Sequence, residues 1–183
     1  MASQRELKMV YTPRIEDCVS FLTGKAAQQI TRRSREALAE LGITPVQYAV
    51  LNLLWERDGQ SLAEIGTRLV LDSATMTGVA DRLESGGLAS RTLDPLGDRR
   101  VTCLQLTQDG KQVAVPAQVA MERVNLQVAA DLGDKAADFW NALRQVGNVG
   151  ETSQVPANSD ASRVPESPTG PRMRSRRAMG KAA

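Results

Sequence analysis

The sequence predicts a mainly α-helical fold with one small β-hairpin, and three observations predict it. Apolar residues recur three and four apart over most of residues 13–146. One segment, Leu88–Leu106, alternates in the manner of paired strands. Two short capped helices stand immediately before that segment. With 183 residues and 42% hydrophobic side chains, the chain suits one domain whose core folds without staples.

The elements follow in order. From Pro13 to Leu41 apolar residues fall at Ile15, Val19, Leu22, Ala26, Ile30, Ala37, Leu38 and Leu41, with Arg32, Arg33 and Arg35 on the other side and Gly42 as the stop signal. Thr44-Pro45 starts a second helix, threonine as cap and proline where a missing N–H costs nothing. Tyr48, Val50, Leu51, Leu54 and Trp55 make that helix apolar around much of its circumference, so it belongs in the centre and ends near Asp58-Gly59. Ser61-Leu62-Ala63-Glu64 is a capping box opening a helix to Leu69. Asp72-Ser73 caps the next helix, which runs through Glu84 and stops at Gly86-Gly87 with Met76, Val79, Ala80 and Leu83 as its apolar stripe.

Leu88–Leu93 and Val101–Leu106 are the two strands, and Asp94–Arg100 is the polar tip between them. Thr107 caps a long helix to Leu132, in which Pro116 is expected to kink or end the first segment. Gly133-Asp134 starts a last helix with Ala136, Phe139, Trp140, Leu143 and Val146 on one face. Residues 1–12 are read as a flexible N-terminus. The proline-, serine- and arginine-rich stretch 148–183 is read as a disordered basic tail.

Composition removes several functions. The chain has two cysteines, Cys18 and Cys103, and no histidine, which excludes a zinc-ligand set, a cysteine–histidine pair and a serine–histidine–aspartate triad. No catalytic residue, metal ligand or cofactor is assigned, and an enzyme is not expected. No apolar run reaches the ~18 residues of a membrane span. The N-terminus lacks the apolar core of a signal peptide, so a cytoplasmic protein with no membrane partner is expected. The net charge is +2, but residues 148–183 hold six basic and three acidic side chains, which leaves residues 1–147 at −1. Any affinity of the folded part for nucleic acid must therefore be local.

A local case exists in Ser61–Thr107. Two helices joined by a few residues form a helix-turn-helix, and the second presents Ser73, Thr75, Thr77, Gly78, Asp81 and Arg82 on its polar side. Small polar groups let a helix backbone approach the floor of a DNA major groove. Ser73, Thr75 and Thr77 can donate to phosphates or base edges, and Arg82 can reach a phosphate or guanine. At the hairpin tip Asp98 stands beside Arg99 and Arg100, where a carboxylate can hold a guanidinium in one orientation before it meets DNA. A solvated amphipathic helix and a charged turn would carry the same residues separately; their succession favours DNA.

These segments resemble the MarR family of bacterial transcription regulators. The resemblance lies in Ile43–Leu51, Leu71–Thr77, Arg82–Leu88, Asp94-Pro95 with Asp98-Arg99-Arg100, and Leu106-Thr107 with Gly110. It implies a winged helix-turn-helix lobe plus a helical dimerisation region formed by the N- and C-terminal helices. In residues this is a domain over 13–147, with 13–42 and 107–147 for dimerisation and 43–106 for DNA. It also implies a homodimer on a pseudo-palindromic double-stranded operator, usually as a repressor, with Arg100 in the minor groove, Asp98 orienting it and Arg99 on a phosphate.

Relatives are commonly released by a small-molecule effector, a phenol or aromatic acid, bound between the dimer end and the DNA-binding lobe. Phe21, Lys25, Arg32, Tyr48 and Trp55 are the candidates for such a cleft, although each also suits plain packing. Other relatives sense peroxides through a cysteine early in the first helix. That position aligns nearer Ser20, which leaves Cys18 about half a helical turn away, with Glu16 and Asp17 expected to raise its pKa. A thiol-based peroxide-sensing repressor using Cys18 is thus one alternative, and a winged-helix protein-interaction module without DNA binding is another. Cys103 is expected to pack, and the tail to add phosphate contacts or simply to be solvated.

Overall fold

A computed structural model describes residues 14–93 and 101–149. Six α-helices and three short strands occur among them: α1 (Val19–Leu38), α2 (Pro45–Glu56), β1 (Gln60–Ser61), α3 (Leu62–Leu69), α4 (Ser73–Ser85), β2 (Ala89–Leu93), β3 (Thr102–Leu106), α5 (Gln108–Leu132) and α6 (Ala136–Val146). Single 3-10 turns precede α1, follow it, and join α5 to α6. The expectation of a mainly helical fold with a small hairpin is met. No single helix among the described residues is long and apolar enough to cross a membrane.

Cap chemistry places most boundaries. Thr44 and Ser61 form full capping boxes with Gln47 and Glu64, and the Asp72 carboxylate accepts from the Thr75 N–H at 2.8 Å. The Thr107 hydroxyl accepts from the Gly110 N–H at 3.0 Å and donates to the Gly87 carbonyl at 2.6 Å, tying the start of α5 to the end of α4. Gly110 is a steric necessity there, because a Cβ on it would stand 1.9 Å from the Leu88 carbonyl oxygen.

The core is built around α2. Val50, Leu51, Leu53 and Leu54 are buried against Leu38, Ile65, Met76, Val79, Leu83, Leu104 and Ala117, each large side chain contributing roughly 1.5–3 kcal/mol of transfer free energy. Gln60 is, with Ser34, one of two buried polar side chains among the described residues: its amide donates to the carbonyls of Leu53 at 2.6 Å and Arg57 at 2.7 Å, so a side chain from β1 satisfies the C-terminus of α2.

Three expectations need correction. The hairpin is part of a three-stranded antiparallel sheet in the order β1-β3-β2, with Gln60 opposite Leu104 and Arg91 also opposite Leu104. Two residues of β1 carry no periodicity of their own, and the strand exists because β3 offers it an edge. The first helix starts at Val19 rather than Pro13, with Ile15–Asp17 forming a separate 3-10 turn. Of the two outcomes expected at Pro116, the ending of the first segment does not occur: α5 is one helix of 25 residues. Pro116 and Gln112, whose carbonyl loses its partner, both lie on the exposed side, where water can take the bond.

The ends of the chain differ from the middle. None of the described residues of α6 is buried, although Phe139 and Trp140 meet edge to face at 5.7 Å. Val19 and Leu22 on α1, Val115, Val119 and Leu126 on α5, and Leu143 and Val146 on α6 are all exposed. Arg33 of α1 and Asp131 of α5 pair across this region at 2.6 Å.

Candidate nucleic-acid interface

The helix-turn-helix is α3, the turn Val70-Leu71-Asp72, and α4. Gly66 lets the two helices close: a Cβ there would lie 3.3 Å from the Leu71 carbonyl and 3.7 Å from the Met76 side chain. Met76, Val79, Ala80 and Leu83 turn inward, leaving Ser73, Thr77, Asp81 and Arg82 exposed along the outer side of α4. The helix thus presents small groups outward and anchors itself by larger ones, as close approach to a groove floor requires.

The predicted hydroxyls are not equivalent. Thr75 donates to the Asp72 carboxylate at 2.7 Å, so its proton belongs to the cap, and the two bonds from Thr75 hold that carboxyl below its usual range. Thr77 donates to the Ser73 carbonyl at 2.8 Å. The Ser73 hydroxyl has no hydrogen-bond partner among the described residues, and Arg82 is exposed and makes no ion pair with them. Among the described residues, Ser73 and Arg82 are therefore the outward donors of α4 that have no partner. Asp98, Arg99 and Arg100, the hairpin-tip candidates, lie outside the described residues, as do residues 1–13 and 150–183.

Arg91 is the residue that sequence reasoning missed. From the middle of β2 its guanidinium reaches back to α4, donating to Asp81 at 2.5 Å and to Glu84, and these bonds, Asp81 first, raise its pKa. The clamp fixes the hairpin against α4 and offsets two carboxylates on a helix that would otherwise repel phosphate. Carboxylates three apart on α4 and an arginine on the following strand were the available signal. A second pair of links, Arg57–Glu64 at 2.8 Å and Arg68–Glu56 at 2.6 Å, fastens α3 to the end of α2, and Glu64 is held at a pKa of about 2, chiefly by its bond from Arg57.

The five effector candidates do not converge on one cavity. The Lys25 ammonium lies 5.9 Å from the centre of the Phe21 ring on exposed α1, and Arg32 pairs with Glu36 at 2.9 Å. Tyr48 is half-buried on α2, its phenol held protonated by burial and by Glu122 and Glu56. Trp55 is 45% exposed at the far end of the same helix. A groove of about 750 Å³ runs along α3, the turn and the start of α4. A cleft of about 280 Å³ lies between α1 and α5, lined by Arg33, Glu36 and Arg123. Neither contains any of the five.

Cys18 departs from expectation. It is the residue immediately before α1, and its sulfur lies 3.3 Å from the Ser20 hydroxyl. That hydroxyl, followed by the N–H groups of Phe21 and Ser20, lowers the thiol pKa. Hydrogen bonds at the helix start set the direction, and the neighbouring carboxylates expected to raise it are not among its causes. Cys103 is buried, as expected.

The model of the MarR family matches residues 43–102, from the start of α2 into β3. An organic hydroperoxide resistance transcriptional regulator of Bacillus subtilis (strain 168) is 32% identical over 133 residues, covering 71% of this chain and 90% of that protein. The HTH-type transcriptional regulator TtmR of Methylorubrum extorquens (strain PA1) is 39% identical over 97 residues, 53% of this chain but only 49% of that protein, so that match spans about half the relative's length. Among solved structures, the PcaV transcriptional regulator of Streptomyces coelicolor, in complex with its natural ligand, superposes with a TM-score of 0.68 at 29% identity, covering 76% of this chain and 98% of that one.

Proposed function

Because the chain belongs to the MarR family of transcription regulators, we propose that it acts as a homodimeric repressor, released from a pseudo-palindromic operator by a small aromatic acid or phenol. The observation that carries the reading is the outer side of α4, where small side chains surround Ser73 and Arg82 and a basic clamp offsets the carboxylates. In this reading α4 enters the major groove, with Ser73 and Thr77 near its floor, Thr75 shaping the helix start and Arg82 on a phosphate or guanine. Asp98, Arg99 and Arg100 serve the adjacent minor groove and phosphates. The exposed apolar residues of α1, α5 and α6 support dimerisation of the 13–42 and 107–147 segments, and a two-fold axis would set two α4 helices about one DNA turn apart.

Effector release draws support from the likeness to the ligand-bound PcaV structure. The test is fluorescence anisotropy on duplex DNA from the gene's own upstream region, with and without benzoates and phenols. Arg100→Ala should weaken binding by about 1–3 kcal/mol with the dimer intact; unchanged affinity would refute the tip assignment.

Cys18 supports a second reading, a peroxide-sensing repressor, because its thiol stands at the start of α1 with a lowered pKa and a relative is an organic hydroperoxide resistance regulator. The thiolate would attack the terminal oxygen of a hydroperoxide, the O–O bond would break, that OH would stay on sulfur as a sulfenic acid, and the alkoxide would leave as the alcohol with a proton from water. DNA release by cumene hydroperoxide that is lost in Cys18→Ser supports this reading; equal response of both proteins removes it.

A further inference from the structure

The turn of the helix-turn-helix holds a residue in a conformation that its side chain opposes. Val70 has φ 55° and ψ 44°, in the left-handed region. The Leu71 N–H bonds the Gly66 carbonyl at 2.8 Å and the Val70 N–H bonds the Thr67 carbonyl at 3.3 Å, which makes Val70 the left-handed residue of a Schellman motif. The same motif closes α4, where the Leu88 N–H bonds Leu83, the Gly87 N–H bonds Glu84, and the left-handed residue is Gly87. Glycine serves there because a Cβ crowds the next carbonyl, and a β-branched side chain crowds it further.

Packing does not offset this strain, because Val70 is 91% exposed. Val70 lines the 750 Å³ groove together with Thr67, Ser73 and Thr77 and with Val101 and Thr102 at the base of the hairpin. A strained backbone and two wetted methyls are both unfavourable in the free protein, and both lie between the outer side of α4 and the hairpin. An outlier of this kind points to a contact made in the complex. The one apolar group on base edges in the major groove is the thymine C5-methyl.

We propose that Val70 is a specificity-determining residue that packs its methyls against a thymine C5-methyl beside the bases facing Ser73. This rests on the DNA-binding reading. The test begins with a duplex enriched from a random pool by the full-length protein. Anisotropy then compares wild type, Val70→Gly and Val70→Ala on that duplex and on versions in which each thymine in turn is replaced by deoxyuridine at every symmetric copy. Val70→Gly removes strain and methyls together, and its melting temperature should not fall. Val70→Ala keeps a Cβ in the left-handed region.

Both variants should lose about fivefold or more in affinity. One deoxyuridine replacement should weaken wild type by a similar factor and leave both variants unaffected. Wild type indifferent to every replacement, or variants as sensitive as wild type, overturns the proposal. Enrichment of no duplex at all overturns the DNA-binding reading, and the contact with it.

Discussion

The middle of the chain and its two ends solve the burial problem differently. Among the described residues between Ile43 and Leu106 most large apolar side chains are buried or half-buried, Trp55, Val70 and Leu93 excepted, three helix starts are capped by side chains, and a buried glutamine closes the end of α2. In α1, α5 and α6 apolar residues line up at helical spacing and remain exposed, and α6 buries none of its described residues. The lobe closes its core within one chain, with Leu38 of α1 and Ala117 of α5 completing it, while the helical end leaves an apolar stripe uncovered among the described residues. Propensity and capping can build a helix, but only a facing surface can bury its stripe.

Four changes sharpen that contrast, from the largest effect to the smallest. Gly110→Ala forces a Cβ to 1.9 Å from the Leu88 carbonyl and should destabilise the lobe by about 3 kcal/mol, measured by chemical denaturation. A loss below about 0.5 kcal/mol would show that the junction can yield. Leu143→Asp places a charge on the exposed stripe of α6; it should leave helicity intact while raising the dissociation constant of the proposed dimer by on the order of a hundredfold in sedimentation, following the cost of burying an unpaired charge. An unchanged sedimentation profile would remove α6 from the interface. Gln60→Leu leaves the Leu53 and Arg57 carbonyls without their side-chain donor and should cost about 2 kcal/mol, with dimerisation unaffected.

The smallest effect is pH-dependent. Glu64 titrates at about 2 in the fold against an ordinary 4.5, so the stabilisation it carries is present above pH 4.5 and is lost as pH falls through 2. Half-exposed and screened, it should contribute under about 1 kcal/mol, so Glu64→Gln should flatten the acid limb of a stability–pH curve only slightly.

Local chemistry was legible in the sequence, and long-range partnership was not. Thr44, Ser61, Asp72 and Thr107 declared themselves as caps because a cap oxygen and the N–H it accepts from lie three residues apart. The central position of α2 followed from its apolar circumference. By contrast, β1 exists through its pairing with β3, Gln60 works through carbonyls three and seven residues back, and Arg91 acts on a helix it follows. The difference in standing among Ser73, Thr75 and Thr77 depends on which proton is already spent, and composition cannot report that. Cys18 misled for a related reason: its charged neighbours are visible in the sequence, whereas its place ahead of α1 is visible only once that helix has a defined start.

The joint at Thr107 has a mechanical consequence. One hydroxyl ties the end of α4 to the first turn of a helix 25 residues long, which at 1.5 Å per residue is a rod of about 38 Å. Its far end is gripped by the Arg33–Asp131 pair. A tilt of about 5° at that grip would sweep the joint through roughly 3 Å, close to the rise of one base pair. A rod of this length would turn a small reseating among the outer helices into a displacement of the Thr107 joint beside α4.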